Sequence, residues 1–422
     1  MLLEQILTAV MALLSVLYLS WFVLCAIPRR GFGRKISPSI SIVVPAYNEA
    51  ANIERTIGSI TSATYPGRKE IIIVDDGSTD GTGEIVKRMA KSVKNLRLIK
   101  TDHVGKAMAV NAAIRHSRNE MLVILDADTE VNGDAFLQIV QPFSDREVAA
   151  VSSTLRVKVT WNPLTWFQEF EYGIATGWRY AVDNINGSCI VPGFCAFRKS
   201  MIVDVGGMKG DTAVEDYDIC MYLKKAGYKI RMAEKAVAYT VVPQTFIGLI
   251  KQRIRWNRGT LQTMRKHNDV ILNKKHGAVG LYSVPIQSYW FVHAMIYIPL
   301  VLYQIVSGYV QWFASRGDFV SFEAVMYFVK WFTTYGTIDY LFKFATAAYP
   351  ATLLNSLVTA VIFLSFSFGV WSLLKFSGRT PTSLVGLVFF FPYTMIMLSM
   401  YIVATLLQVF ERDRGEKWEK VS

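Results

Sequence analysis

Cysteine is scarce in this chain of 422 residues: only Cys25, Cys189, Cys195 and Cys220 occur, with no Cys-x-x-Cys pair. That argues against a disulfide-stapled scaffold and against a cysteine-ligated metal site. No Gly-x-Gly-x-x-Gly follows the first apolar run, and no Gly-x4-Gly-Lys-Ser/Thr occurs. Dinucleotide-binding and P-loop readings therefore fail. Repeats, low-complexity tracts and nucleic-acid-binding signatures are absent as well. The net charge of +12 thus needs another partner than nucleic acid. Much of it flanks apolar runs, where anionic lipid headgroups would meet it. Charged residues make up only 18% of the chain and hydrophobic ones 52%, with mean hydropathy +0.28. That is too apolar for an ordinary soluble domain and too charged for a pure membrane bundle.

The apolar residues are concentrated. Residues 6–27 carry no charge and are long enough to cross a hydrocarbon core of ~30 Å. No basic segment precedes them and no small-residue cleavage site is evident; Arg29, Arg30, Arg34 and Lys35 follow. The expectation is an uncleaved anchor, residues 1–35, with its N-terminus outside and the following domain in the cytoplasm. Uncharged runs at 277–315, 344–374 and 380–410 are each long enough to span, within a membrane region 277–410 of three or four helices. Residues 318–343 are apolar and aromatic but contain Glu323, Lys330 and Asp339. If they cross, the charged tail 411–422 lies inside, as the positive-inside rule prefers, and that is the expectation here.

Between these regions, residues 36–245 alternate apolar runs with helical spacing. Residues 40–44, 70–74, 96–99 and 121–125 read as strands, and 52–62, a helix running through Met89, and 107–115 as helices. Such alternation gives a single Rossmann-like, mostly parallel α/β sheet, whose ligands sit outside the carboxyl ends of the strands. The segments 45–49, 75–78 and 126–128 all follow strand ends, so one cleft can hold all three. A nucleotide-sugar brings a diphosphate that becomes an increasingly negative leaving group. Asp128, with Asp126, then calls for a divalent cation, Mg²⁺ or Mn²⁺, between carboxylate and phosphate. Asp75 and Asp76 suit a base N–H or a ribose hydroxyl, and Lys106 supplies a cation at a helix N-terminus. Two further helices are expected: an aromatic-striped one near 161–182, lying at a membrane interface, and a basic amphipathic one within 246–270.

Pro45-Ala46-Tyr47-Asn48-Glu49, Asp75-Asp76-Gly77-Ser78, Asp126-Ala127-Asp128, Val214-Glu215-Asp216 and Gln252-Arg253-Ile254-Arg255-Trp256 occur in this order. Together they resemble the family 2 glycosyltransferases, and the last two resemble the processive membrane synthases of cellulose, chitin, hyaluronan and poly-N-acetylglucosamine. The likeness covers roughly residues 36–265. Many members carry Thr where Val214 stands. The resemblance implies a GT-A-type nucleotide-sugar domain joined to an α-helical transmembrane region. It implies uridine near Asp75 or Asp76, Tyr47 and Glu49 lining the base, and Lys106 nearby. Asp126 and Asp128 would take the metal and diphosphate. Asp216 would be the general base of an inverting displacement, beside Glu215. Gln252 and one of the two arginines would reach the diphosphate, with Arg255 the choice, and Trp256 would stack under the acceptor sugar. Phe194 and Cys195 are acceptor-side candidates, although a buried strand fits Cys195 equally well.

The function this implies is polymerisation of a β-linked polysaccharide from a UDP-sugar, UDP-N-acetylglucosamine being the choice, with extrusion through the chain's own helices. The partners are the donor, the growing polysaccharide, the lipid bilayer and, as an open question, a small accessory membrane subunit; nucleic acid is not among them. Two alternatives stand beside it: non-processive transfer to a polyprenyl phosphate or other lipid, and an inactive carbohydrate-sensing or scaffold membrane protein.

Overall fold

The structure, a computed structural model, describes residues 2–29, 31–33, 35–316, 321–377 and 381–410. The charged tail 411–422 lies outside the described residues, as do Arg30 and Arg34 of the basic cluster.

The first helix, α1 (Leu2–Ala26), leads to a sheet whose opening half alternates strand and helix. Its elements are β1 (Ile40–Ala46), α2 (Ile53–Ser62), β2 (Lys69–Asp75), α3 (Thr82–Met89), β3 (Leu96–Lys100), α4 (Lys106–His116) and β4 (Met121–Leu125). The second half carries β5 (Thr129–Val131), α5 (Ala135–Val140), β6 (Val148–Val157), α6 (Pro163–Asp183), β7 (Phe194–Arg198), α7 (Lys199–Asp204), α8 (Glu215–Lys225) and β8 (Lys229–Thr240). The eight strands lie in the order β3-β2-β1-β4-β7-β6-β8-β5. The first four are mutually parallel, β7 runs antiparallel to both its neighbours, and β6 and β8 are parallel. β1 and β4 are buried along their whole length, as strands covered on both faces must be. One apolar cluster, with Ile57, Phe136 and Phe194, fills one side of the sheet; another, with Val110, Phe197 and Leu223, fills the other. Because β1, β2 and β4 are parallel, the three acidic segments emerge at the same edge.

The helix α6 covers the segment expected at a membrane interface. It is wedged between β6 and the membrane-type helices. Phe170 and Trp178 are buried, and Gly177 comes so close to the later helix α13 (Leu353–Phe376) that an added Cβ would sit 2.3 Å from Ser372 Oγ. Small residues of this kind let two helices approach closely. Part of the aromatic stripe is therefore buried between sheet and helices, while Trp166 and Phe167 stay half-exposed.

The basic helix α9 (Phe246–Lys266) follows the sheet, then α10 (Val284–Arg316). Among the described residues, four helical segments are long and apolar enough to cross a membrane: Glu4–Ala26, Val279–Arg316, Leu353–Phe376 and Pro392–Phe410. The last belongs to α15 (Phe390–Phe410), which comes after the short α14 (Pro381–Val388).

The described part of the stretch 318–343 is not one continuous helix of spanning length. It holds α11 (Phe322–Phe332) and α12 (Thr334–Ala345), of 11 and 12 residues. At 1.5 Å per residue each is roughly half of a ~30 Å core. Thr333, between them, is extended and its hydroxyl caps α12 at Tyr335 N. A β-branched residue in a capping role breaks what composition reads as one continuous run. Lys330 and Lys343 both pair with Asp339, which satisfies the charges locally.

Candidate active site

One cavity of about 840 Å³ opens at the carboxyl edge of the sheet, closed by α6 and α9. Glu49, Lys106, Asp126, Asp128, Glu215, Asp216, Gln252, Arg255 and Trp256 all line it. They come from four of the five motifs and, for Lys106, from the start of α4, and the fold gathers them around one space.

The cation at its centre is Lys106, whose Nζ lies 2.8 Å from Asp126 Oδ1 and 2.9 Å from Glu215 Oε1. Burial favours the neutral amine, but the two carboxylates outweigh it and hold the ammonium well above its ordinary pKa. Glu215 is the reciprocal case: burial raises its pKa, yet Lys106 brings the net shift below the usual value. Its neighbour Asp216 goes the other way. Burial, reinforced by Glu215, pushes it up to about 7, with Lys106 only partly offsetting this. Asp216 Oδ1 accepts from Tyr217 N at 2.8 Å, which leaves Oδ2 available to the cavity. Two adjacent carboxyls with oppositely shifted pKa values are the usual sign of one charged partner and one proton acceptor.

Asp128 is likewise pushed up to about 7, by burial first and then by Asp126 and Glu49. Its Oδ1 takes two hydroxyls at 3.2 Å, from Thr129 and Thr240. Asp126 is positioned from behind by Gly193: an added Cβ there would lie 2.0 Å from Asp126 Oδ2, and Asp126 N donates to Gly193 O. Among the described residues six carboxylates line the cavity (Glu49, Asp126, Asp128, Glu171, Glu215, Asp216) against three permanent cations (Lys106, Arg179, Arg255). The repulsion that Asp126 and Glu49 exert on Asp128 fits a divalent cation, which would relieve it. No cluster of three or more His, Cys, Asp or Glu forms a ready-made cage among the described residues. Asp128 and Asp126 would therefore share the ion with diphosphate oxygens and water, as Mg²⁺-type sites commonly do.

The helix α9 forms the opposite wall, and here the two arginines separate. Arg253 is buried with Glu171, at 2.9 and 2.7 Å, and its guanidinium lies 4.3 Å from the centre of the Trp256 ring. Tyr393 of α15 donates to the same carboxylate. Arg255 instead faces the cavity and donates to Ala213 O at 3.1 Å, steadying the loop that precedes Glu215. Gly259 completes this contact, since a Cβ there would meet Val214 at 2.8 Å. Asp218 of α8 adds a second tie, to Lys266 and His267 beyond the end of α9.

Several expected site residues lie elsewhere. Asp76 is fully buried and its carboxylate is consumed by Thr101 Oγ1, Val104 N and Gly105 N, so it shapes the loop that delivers Lys106. Asp75 accepts from Ser78 N and packs against Gly83. Tyr47 stacks on His103, ring centres 4.1 Å apart, and it is His103 that lines the cavity. Phe194 is fully buried on β7 against Phe136, because the alternation of the strand turns it into the core; it does not touch the cavity, and neither does Cys195. Burial holds the Cys195 thiol well above its ordinary pKa. Of the two acceptor-side candidates, Phe194 is thus a core residue, and Cys195 is the buried strand residue also read from the sequence, bordering a small void beside Lys106, Asp126 and Asp216.

Glu171, Tyr172, Arg179 and Thr240 line the cavity without having been read from the sequence. Helical spacing pairs Arg179 with Asp183, four residues on, but Asp183 is taken by Arg29 and Arg231.

Comparison with known proteins agrees with this geometry. Residues 41–206 match the family model "Glycosyl transferase family 2". The chain is 32% identical over 223 residues to a poly-beta-1,6-N-acetyl-D-glucosamine synthase of Staphylococcus aureus, covering 52% of this chain and 54% of that protein. It is 31% identical over 262 residues to the synthase of the same name from Staphylococcus epidermidis, covering 61% and 63%. The chain thus spans little more than half the length of the curated relatives it matches. Among solved structures, a mannosyltransferase from Pyrobaculum calidifontis, in complex with GDP-Man and Mn²⁺, superposes with a TM-score of 0.61 at 21% identity, over 97% of this chain and 99% of that one. At that identity the likeness is one of fold, and it is the GT-A-like fold with a helical C-terminal region. The chain carries a glycosyl transferase family 2 domain, homologous to that of the poly-N-acetylglucosamine synthases.

Proposed function

We propose that this protein is a membrane-embedded hexosyltransferase. It extends a β-linked polysaccharide from a UDP-sugar, UDP-N-acetylglucosamine being the donor of choice, with inversion at the anomeric carbon. The observation that carries the reading is that Asp216 and the Gln252, Arg255 and Trp256 side chains of α9 share one cavity with Asp126 and Asp128. The curated relatives supply the sugar.

In this reading the acceptor hydroxyl lies at Asp216 Oδ2, which takes its proton as the oxygen attacks and UDP departs from the opposite face. Glu215 stays charged and keeps Lys106 between it and Asp126. Lys106, Arg255 and Gln252 face the growing charge on the diphosphate. A bound Mg²⁺ or Mn²⁺ held by Asp128 and Asp126 supplies further charge neutralisation there. Trp256, flanked by Arg253 and Tyr172, offers its ring to the acceptor sugar.

The four apolar helices support a multi-pass cell-membrane protein, with the sheet on the cytoplasmic side where Arg29 and Lys35 lie. The contact of α15 with α9 supports release of product into the helical region. If these four helices are the crossings, the C-terminal end of α15 emerges on the side opposite the sheet. The decisive experiment supplies labelled UDP-N-acetylglucosamine to membranes holding the full chain. Long polymer sensitive to a β-hexosaminidase is expected, and mono-glycosylated lipid alone would sink the proposal.

A further inference from the structure

A cation with no carboxylate partner among the described residues stands at the acceptor end of the cavity. Arg179 lies on α6, on the face that also carries Tyr172 and Ala175 to the cavity at spacings of three and four. One terminal nitrogen donates to Thr176 Oγ1 at 2.9 Å. Its Nε is shut off from solvent and bonds to nothing, and it forms no ion pair among the described residues. Burial lowers its pKa to about 10, with Tyr172 and Asp216 the groups that pull the other way, so it is charged at neutral pH. The other terminal nitrogen has no bond among the described residues, and the half-buried side chain lines the cavity, so its open N–H donors there invite a ligand acceptor. The diphosphate end already has Lys106 and Arg255, whereas Arg179 sits with Tyr172, against which Trp256 packs at 6.3 Å.

We propose that Arg179 binds the acceptor: its free donors hydrogen-bond an oxygen of the terminal sugar, the acetamido carbonyl of an N-acylated saccharide. The inference rests on the polysaccharide-synthase reading. An N-acetyl group offers a strong neutral acceptor, whereas a free 2-amino group is an ammonium that the guanidinium repels. Arg179 is then a specificity determinant for acylated over deacylated chains.

The test uses the full chain in detergent without donor. A β-1,6-linked N-acetylglucosamine pentasaccharide and its fully de-N-acetylated counterpart are titrated calorimetrically into wild type, Arg179→Met and Arg179→Lys. Wild type is expected to prefer the acetylated pentamer. Arg179→Met should weaken that binding roughly 10–100-fold, erase the preference and leave UDP affinity unchanged. Arg179→Lys should fall between, since it keeps the charge and loses the planar fork. Unchanged pentamer affinity in Arg179→Met overturns the inference. So does loss of UDP affinity along with it, or wild type that binds neither pentamer. A shift in the acid limb of the pH–rate profile at constant pentamer affinity would also overturn it, since Arg179 would then act through Asp216. UDP release from UDP-N-acetylglucosamine, measured alongside, separates the two ideas. Its absence in wild type defeats the synthase reading, and its presence with unaltered Arg179→Met binding defeats this inference alone.

Discussion

Lys106 Nζ and Glu215 Oε1 lie 2.9 Å apart, joining the first residue of α4 to the first residue of α8. One ammonium therefore fixes the spacing between the donor-side acid Asp126 and the Glu-Asp pair. It also decides which member of that pair stays charged: Glu215 is stabilised as a carboxylate, while Asp216 carries the penalty of having a charged neighbour.

Asp216→Asn keeps the hydrogen bond from Tyr217 N within reach and removes the proton acceptor. Turnover should fall by ~10²–10⁴-fold, the usual worth of a general base. Equilibrium binding of UDP should stay within a few-fold of wild type. A variant that turns over normally would exclude Asp216 as the base.

The pH dependence follows from the same residue. Its pKa is raised from 3.8 to about 7, so the basic form predominates only above that pH. The rate of UDP release should rise with pH through an apparent midpoint near 7 and level off above it. Lys106 acts to lower the Asp216 pKa. Lys106→Met should therefore move the midpoint upward, in addition to weakening donor binding. A profile flat from pH 6 to 8 would contradict the assignment.

The cation is tested by removal. Chelation should abolish UDP release, with Mg²⁺ or Mn²⁺ restoring it. Asp128→Asn should need roughly ten-fold or more additional metal for half-maximal rate, the ordinary consequence of losing a carboxylate ligand. Full activity in excess chelator would remove the metal from the proposal.

Gly193→Ala probes the back of the site. The new methyl would sit 2.0 Å from Asp126 Oδ2, so the carboxylate must swing away from Lys106. A fall in kcat/KM of about 10-fold or more is expected with an unaltered melting profile. Phe194→Ala should do the reverse, costing about 3–5 kcal/mol of stability, as for other fully buried Phe side chains.

Much of this architecture is legible in the sequence because strand order and strand ends follow from short apolar runs. The four leading strands begin and end within two residues of where periodicity puts them. The acids that end β1 and β4 face the cavity as the sheet rule requires. What escaped depends on which partner a polar group finds. Asp76 reads as a ligand site until the loop 101–105 folds over it. Arg179 belongs to no motif, and only the fold shows that Arg29 and Arg231 claim Asp183, its helical neighbour four residues on. Phe194 follows a glycine that suggests a loop, yet it begins a strand and points inward. The break at Thr333 is a capping event inside an apolar run, and composition does not register it.

Glu171 belongs to the cavity wall, to Arg253 beneath Trp256 and to Tyr393 on α15. The boundary drawn along the chain between sheet and helices is therefore not a boundary in the fold. A soluble fragment begun after α1 and ended before α10 would keep every strand and all the acidic motifs. It would lose the phenol that braces Glu171, and the apolar covering that α13 gives Phe170 and Trp178. Excision of the catalytic half is thus expected to yield a folded sheet with a misaligned acceptor platform, and solubility would come at the expense of the site itself.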